Sequence, residues 1–175
     1  MTVDDYLKSE ETNRWRELAY GVLRDPPAPF FSHQELVLRM AKLLSEHVEP
    51  RGLGRVAMAP IDVILDVERS LIVQPDVLFV STERLSIIRD QVWGAPDLVV
   101  EVISIETGSY DRREKLGWYR QYGVREYWIV DLANERVTVM DFATGVPTPR
   151  IFDRLDAIRS TVLPDLQATV YNLFH

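Results

Sequence analysis

The stretch Gly94 to Ser104 reads GAPDLVVEVIS, and its core, Leu98 to Ile103, is apolar on both alternating faces except for one acid, Glu101. A strand of that kind is covered on both sides, as a central strand is. Tyr110 to Tyr122 then predicts a helix, with Ser109 as its N-cap and Gly123 just past its end. Tyr127 to Val130 and Val137 to Met140 predict two further strands, joined by a hairpin turn at Ala133-Asn134-Glu135. Upstream, Val56 to Leu65 and Leu71 to Val80 each read as one strand rich in Val, Ile and Leu. Before them, Ser32 and Glu35 make a capping-box pattern. It opens a helix with Leu36, Met40, Leu43, Leu44 and Val48 along one face, ended by Pro50 and Gly52. Trp15 to Leu23 predicts a strand or hairpin, stopped by Asp25-Pro26-Pro27 and Pro29, and Thr2 caps a short N-terminal helix. The tail from Phe152 mixes charged and apolar residues without a clear period. With no repeat or linker, residues 1–175 predict a single α/β domain, a mixed β-sheet flanked by helices.

At 175 residues the chain is of one-domain size. It has no cysteine, which excludes disulfides, thiolate metal sites and a cysteine nucleophile. The start, MTVDDYLKSEE, is acidic and unlike a signal peptide. No apolar run approaches the ~20 residues of a membrane span. A cytoplasmic protein is therefore expected. The formal net charge of −7 opposes non-specific attraction to nucleic acid, so a nucleic-acid partner requires a local basic surface.

Two acids stand out because they interrupt apolar strand sequence: Asp76 in IVQPDVLFV and Glu101 in LVVEVIS. A carboxylate carried into an apolar interior costs several kcal/mol unless a cation, metal or donor network compensates. Asp76 lies near the beginning of its strand and Glu101 near the end of its own. If those strands are antiparallel neighbours, the two acids meet, and paired hard oxygens suit Mg²⁺ or Mn²⁺. Burial against an arginine, or emergence at a sheet edge, accounts for the acids equally well. On the following helix Asp111, Lys115 and Tyr119 share one face. Lys115 is within reach of the acids if the connection is tight; otherwise it pairs with Asp111 on the surface for only ~0.3–0.5 kcal/mol.

GAPDLVVEVIS, then Asp111, Lys115 and Tyr119, then YGVREYWIVD, resemble the bacterial Uma-type family of restriction-endonuclease-like proteins, within the PD-(D/E)XK nuclease superfamily. QPDVLFV, with Pro75-Asp76, matches in order, as do APIDV at Ala59 to Val63, the pair His33-Gln34 and the segment Glu17 to Gly21. The likeness runs from about residue 3 to residue 142. It implies a restriction-endonuclease-like fold and a metal site at Asp76 and Glu101, with the Val102 carbonyl as a further ligand. The superfamily's lysine position, two residues after the second acid, is Ile103 here, and Lys115 is the residue that matches its replacement on the helix. Glu17 matches an N-terminal acid that assists the site. Tyr20 and Val22 stand where relatives usually carry acids, and Ile105-Glu106 replaces a common Pro-Ser pair.

The implied activity is Mg²⁺- or Mn²⁺-dependent hydrolysis of DNA phosphodiesters, with catalytic Asp76, Glu101, Lys115 and Glu17. Arg112, Arg113, Arg120 and Arg125 are candidates for backbone phosphates, or simply solvate a helix. A homodimer is the family habit. A nuclease-like fold kept for nucleic-acid binding or regulation is the main alternative. A glycosidase using paired carboxylates finds no support in any sugar-sized cleft signal. His33, second in the capped helix, is placed where it could face the site, although packing or a helix-surface place is the favoured expectation, and His47 and His175 lack companions at zinc-ligand spacing. Trp93, Trp118, Tyr122, Tyr127 and Trp128 are expected in the core.

Overall fold

A computed structural model of the protein describes residues 1–9, 15–103, 109–143 and 147–175; of residues 109–112 it describes the backbone only. The cap at Ser109, the side chains of Asp111 and Arg112, and the pair Ile105-Glu106 therefore lie outside the described residues. No described helix is long and apolar enough to cross a membrane.

In chain order the elements are α1 (Val3–Leu7), the hairpin β1 (Glu17–Ala19) and β2 (Val22–Arg24), α2 (Phe31–Val48), β3 (Gly54–Met58), β4 (Val63–Asp66), β5 (Leu71–Val73) and β6 (Val77–Ser81). A 3₁₀ turn, β7 (Val92–Trp93), β8 (Leu98–Ile103), α3 (Ser109–Tyr122), β9 (Glu126–Asp131), β10 (Arg136–Asp141), β11 (Pro149–Asp153) and α4 (Val170–Phe174) follow. The predicted cap of α1 is present, with Thr2 and Asp5 satisfying each other's backbone N–H groups. The predicted capping box of α2 is not. That helix begins at Phe31 with Phe30 in the cap position and no side-chain cap, so Ser32 lies inside its first turn.

Two expected long strands are each two strands. Pro60 interrupts the first, between β3 and β4, and Gln74-Pro75-Asp76 interrupts the second, between β5 and β6. Proline offers no N–H to a ladder and ends regular pairing. The halves then part company, because β3 and β6 join one sheet while β4 and β5 join another. The single mixed sheet expected from sequence is thus a pair of mixed sheets within the same α/β class, in the orders β11-β10-β9-β8-β6-β3 and β2-β1-β5-β4-β7.

In the larger sheet β8 runs parallel to β9 and antiparallel to β6. A parallel neighbour needs a crossover, and α3 supplies it. Side-chain alternation along β8 divides the core. Leu98, Val100 and Val102 face α2 and the C-terminal segment, meeting Leu36, Met40 and Leu44. Val99 faces α3 and the smaller sheet, meeting Trp118, Tyr119, Val63 and Val73. Glu101 shares the face of Val99, so strand period alone aims it at α3. Of the expected core aromatics, Trp118, Tyr127 and Trp128 are buried, while Trp93 and Tyr122 are half-buried against their clusters.

Asp97 ties the start of β8 to its neighbours. Fully buried, it accepts from Ser81 N–H at 2.8 Å and from Arg84 and Arg125 at 3.2 and 3.3 Å. Burial alone would raise its carboxyl, yet the Ser81 and Arg84 donors hold it below the ordinary 3.8. The stability it contributes is therefore complete above that value and lost as pH falls through the lowered one. Asp97→Asn is expected to cost roughly 2–3 kcal/mol in urea titrations at neutral pH, the worth of charge-assisted hydrogen bonds. The gap from wild type should narrow below about pH 4. A gap constant down to pH 2 would show that the charge on Asp97 does not matter.

Candidate active site

The β6–β8 register pairs Val77 with Val100, and one step further sets Asp76 opposite Glu101. The antiparallel arrangement expected for the two acids is the observed one. Asp76 precedes β6 because Pro75 ends the ladder there, and its carboxylate caps the neighbouring strand: Oδ2 accepts from Val102 N–H at 2.7 Å. Glu101 meets α3, where Lys115 and Tyr119 sit one helical turn apart. Tyr119 donates its hydroxyl to Glu101 Oε1 at 2.6 Å, and Lys115 Nζ donates to the same oxygen at 3.2 Å. Lys115 also reaches Glu17 Oε1 on β1 at 2.9 Å. That Glu17 oxygen takes Gln74 N–H at 3.0 Å, which fastens β1 to the turn carrying Asp76. Trp15 roofs the lysine, its ring centroid 5.8 Å from Nζ.

All these groups are withdrawn from water: Asp76 is 1% exposed, Glu17 and Lys115 5%, Glu101 6%. Among the described residues, three carboxylates at this place face one ammonium. Burial pushes the Glu101 carboxyl well above the carboxylate range; Lys115 pulls it back, and Asp76 and Glu17 push it further up. Burial and Glu101 likewise raise Tyr119 far above the usual phenol value, so it remains a neutral donor.

The donor chemistry fits a hard divalent cation. Carboxyl and carbonyl oxygens gathered in one buried place are the ligands Mg²⁺ and Mn²⁺ prefer, and a bound cation would favour the ionised form of Glu101 that burial opposes. Asp76, Glu101 and the Val102 carbonyl are the groups able to hold it. Among the described residues, no three His, Asp or Glu side chains already close into a metal cluster. Glu101 is turned onto Lys115 and Tyr119 instead.

A family model described as "Putative restriction endonuclease", Uma2, matches residues 3–171. The chain belongs to the Uma2 family. The fold agrees with a crystal structure titled as a putative nuclease belonging to DUF820 from Anabaena variabilis ATCC 29413. The match has a TM-score of 0.83 and 19% identity, over 99% of this chain and 97% of that one. No curated protein matches.

The structure brings together the five Uma2-like positions singled out from sequence: Glu17, Asp76, Glu101, Val102 and Lys115. Ile103 is a buried apolar residue, and the cation comes from the helix. His33 departs from the favoured expectation. It is buried at the site with Nε2 3.1 Å from Val102 O and 3.4 Å from Asp76 Oδ2. Burial lowers its affinity for a proton, but the Asp76 carboxylate outweighs this and leaves it raised. The signal was its spacing: His33 lies on the same helix stripe as Leu36, Val37, Met40 and Leu44, so it had to face inward. Gln74 was missed too; its side chain accepts from Arg16 N–H and donates to Asp62. Arg125 is engaged by Asp97, while Arg113 and Arg120 are exposed.

Because the Glu101 carboxyl is raised in the fold above its ordinary 4.5, the sign of its linkage is set. Stability is fully present below that value and declines as pH rises through the folded one. In chelator, wild type should lose roughly 1–3 kcal/mol between pH 5 and 9 that Glu101→Gln does not lose, measured by denaturant melts. Parallel pH profiles for the two proteins would contradict this account.

Proposed function

We propose that the chain is a metal-dependent endonuclease that hydrolyses DNA phosphodiesters at the Asp76–Glu101–Lys115 site. The observation that carries this reading is a buried lysine, held between Glu17 and Glu101, with Asp76 opposite Glu101 just before the neighbouring strand β6. Asp76, Glu101 and the Val102 carbonyl would hold Mg²⁺ or Mn²⁺. A bound cation of this kind polarises a phosphoryl oxygen and lowers the pKa of water.

Lys115 would stabilise negative charge that grows on the phosphoryl oxygens. It is preorganised for this, since Glu17 and Glu101 hold its Nζ in place before substrate arrives. Tyr119 fixes Glu101 in one orientation and stays protonated while doing so. Trp15 covers the lysine and limits water around it. The net charge of −7 opposes DNA approach, and a cation at the acids would reverse the local field.

Nicking of supercoiled plasmid with Mg²⁺ or Mn²⁺ tests the reading. Wild type should cleave. Lys115→Ala should lower the rate by about 10²–10³, the scale of losing one transition-state charge donor, and Asp76→Ala should abolish cleavage. Wild type that binds DNA but cleaves with neither metal would favour the second reading, a nuclease-like fold retained for binding. The closed, lysine-bridged state of Glu101 is the observation that favours that alternative.

A further inference from the structure

The buried stripe of α2 carries His33 to the end of β8, where its Nε2 faces two oxygens at once. Val102 O is 3.1 Å away and Asp76 Oδ2 is 3.4 Å away. One proton on Nε2 serves the Val102 carbonyl and lies close to Asp76 Oδ2, an oxygen that also accepts from Val102 N–H at 2.7 Å. The other ring nitrogen, Nδ1, is buried without a hydrogen-bond partner among the described residues.

These separations have another meaning around an ion. Ligand atoms about 2.0–2.2 Å from a divalent cation stand roughly 2.8–3.1 Å apart along an octahedral edge and roughly 3.3–3.6 Å along a tetrahedral one. The 3.1 Å separation from Val102 O matches an octahedral edge, and the 3.4 Å one from Asp76 Oδ2 exceeds it, so Asp76 would draw in slightly on binding an octahedral ion. A cation held by Asp76 Oδ2 and Val102 O would therefore meet the lone pair of His33 Nε2 as well.

We propose that His33, through Nε2, is a further inner-sphere ligand of the cation held at Asp76 and Val102, and that this nitrogen makes the site prefer Mn²⁺ to Mg²⁺. The inference rests on the metal-site reading given under Proposed function and adds the identity of the metal to it. Mg²⁺ seeks an all-oxygen octahedron and keeps its waters, whereas imidazole suits transition ions. Ligating histidines usually gain support from an acceptor on the other nitrogen, worth about 10–100-fold in affinity. His33 Nδ1 has no such partner among the described residues, so the preference is moderate rather than absolute.

The test uses the full chain with MnCl₂ and MgCl₂ alone. Pulsed EPR of bound Mn²⁺ in wild type should show ¹⁴N modulation from a directly coordinated nitrogen, and this readout requires no variant. Calorimetry should show His33→Ala weakening Mn²⁺ by about 10–100-fold and Mg²⁺ by no more than about threefold, while Asp76→Ala removes both. Mn²⁺ binding that depends on Asp76 but lacks the nitrogen signal, or an unchanged Mn²⁺/Mg²⁺ ratio in His33→Ala, overturns the role of His33 and leaves the metal site standing. Failure of wild type to bind either ion overturns both.

Discussion

Lys115, buried between the carboxyl groups of Glu17 and Glu101 with Asp76 opposite Glu101 on the neighbouring strand end, is the contact on which the candidate site depends. An ion pair withdrawn from water returns its desolvation cost only when geometry is good and partners are complete. Here Lys115 satisfies two of the acids directly, and Asp76 is steadied by a backbone N–H and an imidazole. Stability alone does not call for such a cluster, since well-packed apolar residues of the same volume would do as well or better. A buried carboxyl pushed up as that of Glu101 is, beside two further acids at one end of a sheet, is a pattern that functional sites show.

The fold serves this cluster by breaking its own strands. Pro75 stops the ladder before β6, which frees Asp76 to turn its carboxylate onto Val102 N–H instead of continuing a strand. The break also sends β5 into the smaller sheet, and β1 pairs with β5 there. Glu17 therefore arrives at the site from a different sheet than Asp76 and Glu101, with Gln74 fastening the two together. Lys115 and His33 come from helices on opposite faces of the larger sheet, α3 and α2. Each charged group is delivered by a separate element. Precision at the site consequently depends on the core that fixes those elements.

Much of this was legible in the sequence. LVVEVI could only be a strand covered on both faces, and Glu101 within it was already anomalous. The position of Asp76 after Pro75, and the helical spacing of Lys115 and Tyr119, added the remaining parts of the trio, which resemblance to the Uma-type family then joined. The pairing of Glu17 with Lys115 could not be seen, because it crosses from one sheet to a helix on the other and leaves no local period. The split of the two long strands was visible in Pro60 and Pro75, but their apolar content outweighed the prolines in a reading by composition. For His33 the sequence left a site-facing place open but favoured packing or the surface, because a polar residue near a helix start suggests a cap or surface. Its alignment with Leu36, Met40 and Leu44 was the stronger clue.

A crystal structure of the protein soaked with Mn²⁺, with anomalous scattering recorded at the manganese edge, tests the central claim most directly. The account predicts one strong peak within bonding distance of Asp76, Glu101 and the Val102 carbonyl, with Lys115 alongside. A protein that shows no peak at these acids, while manganese binds elsewhere or not at all, would contradict it.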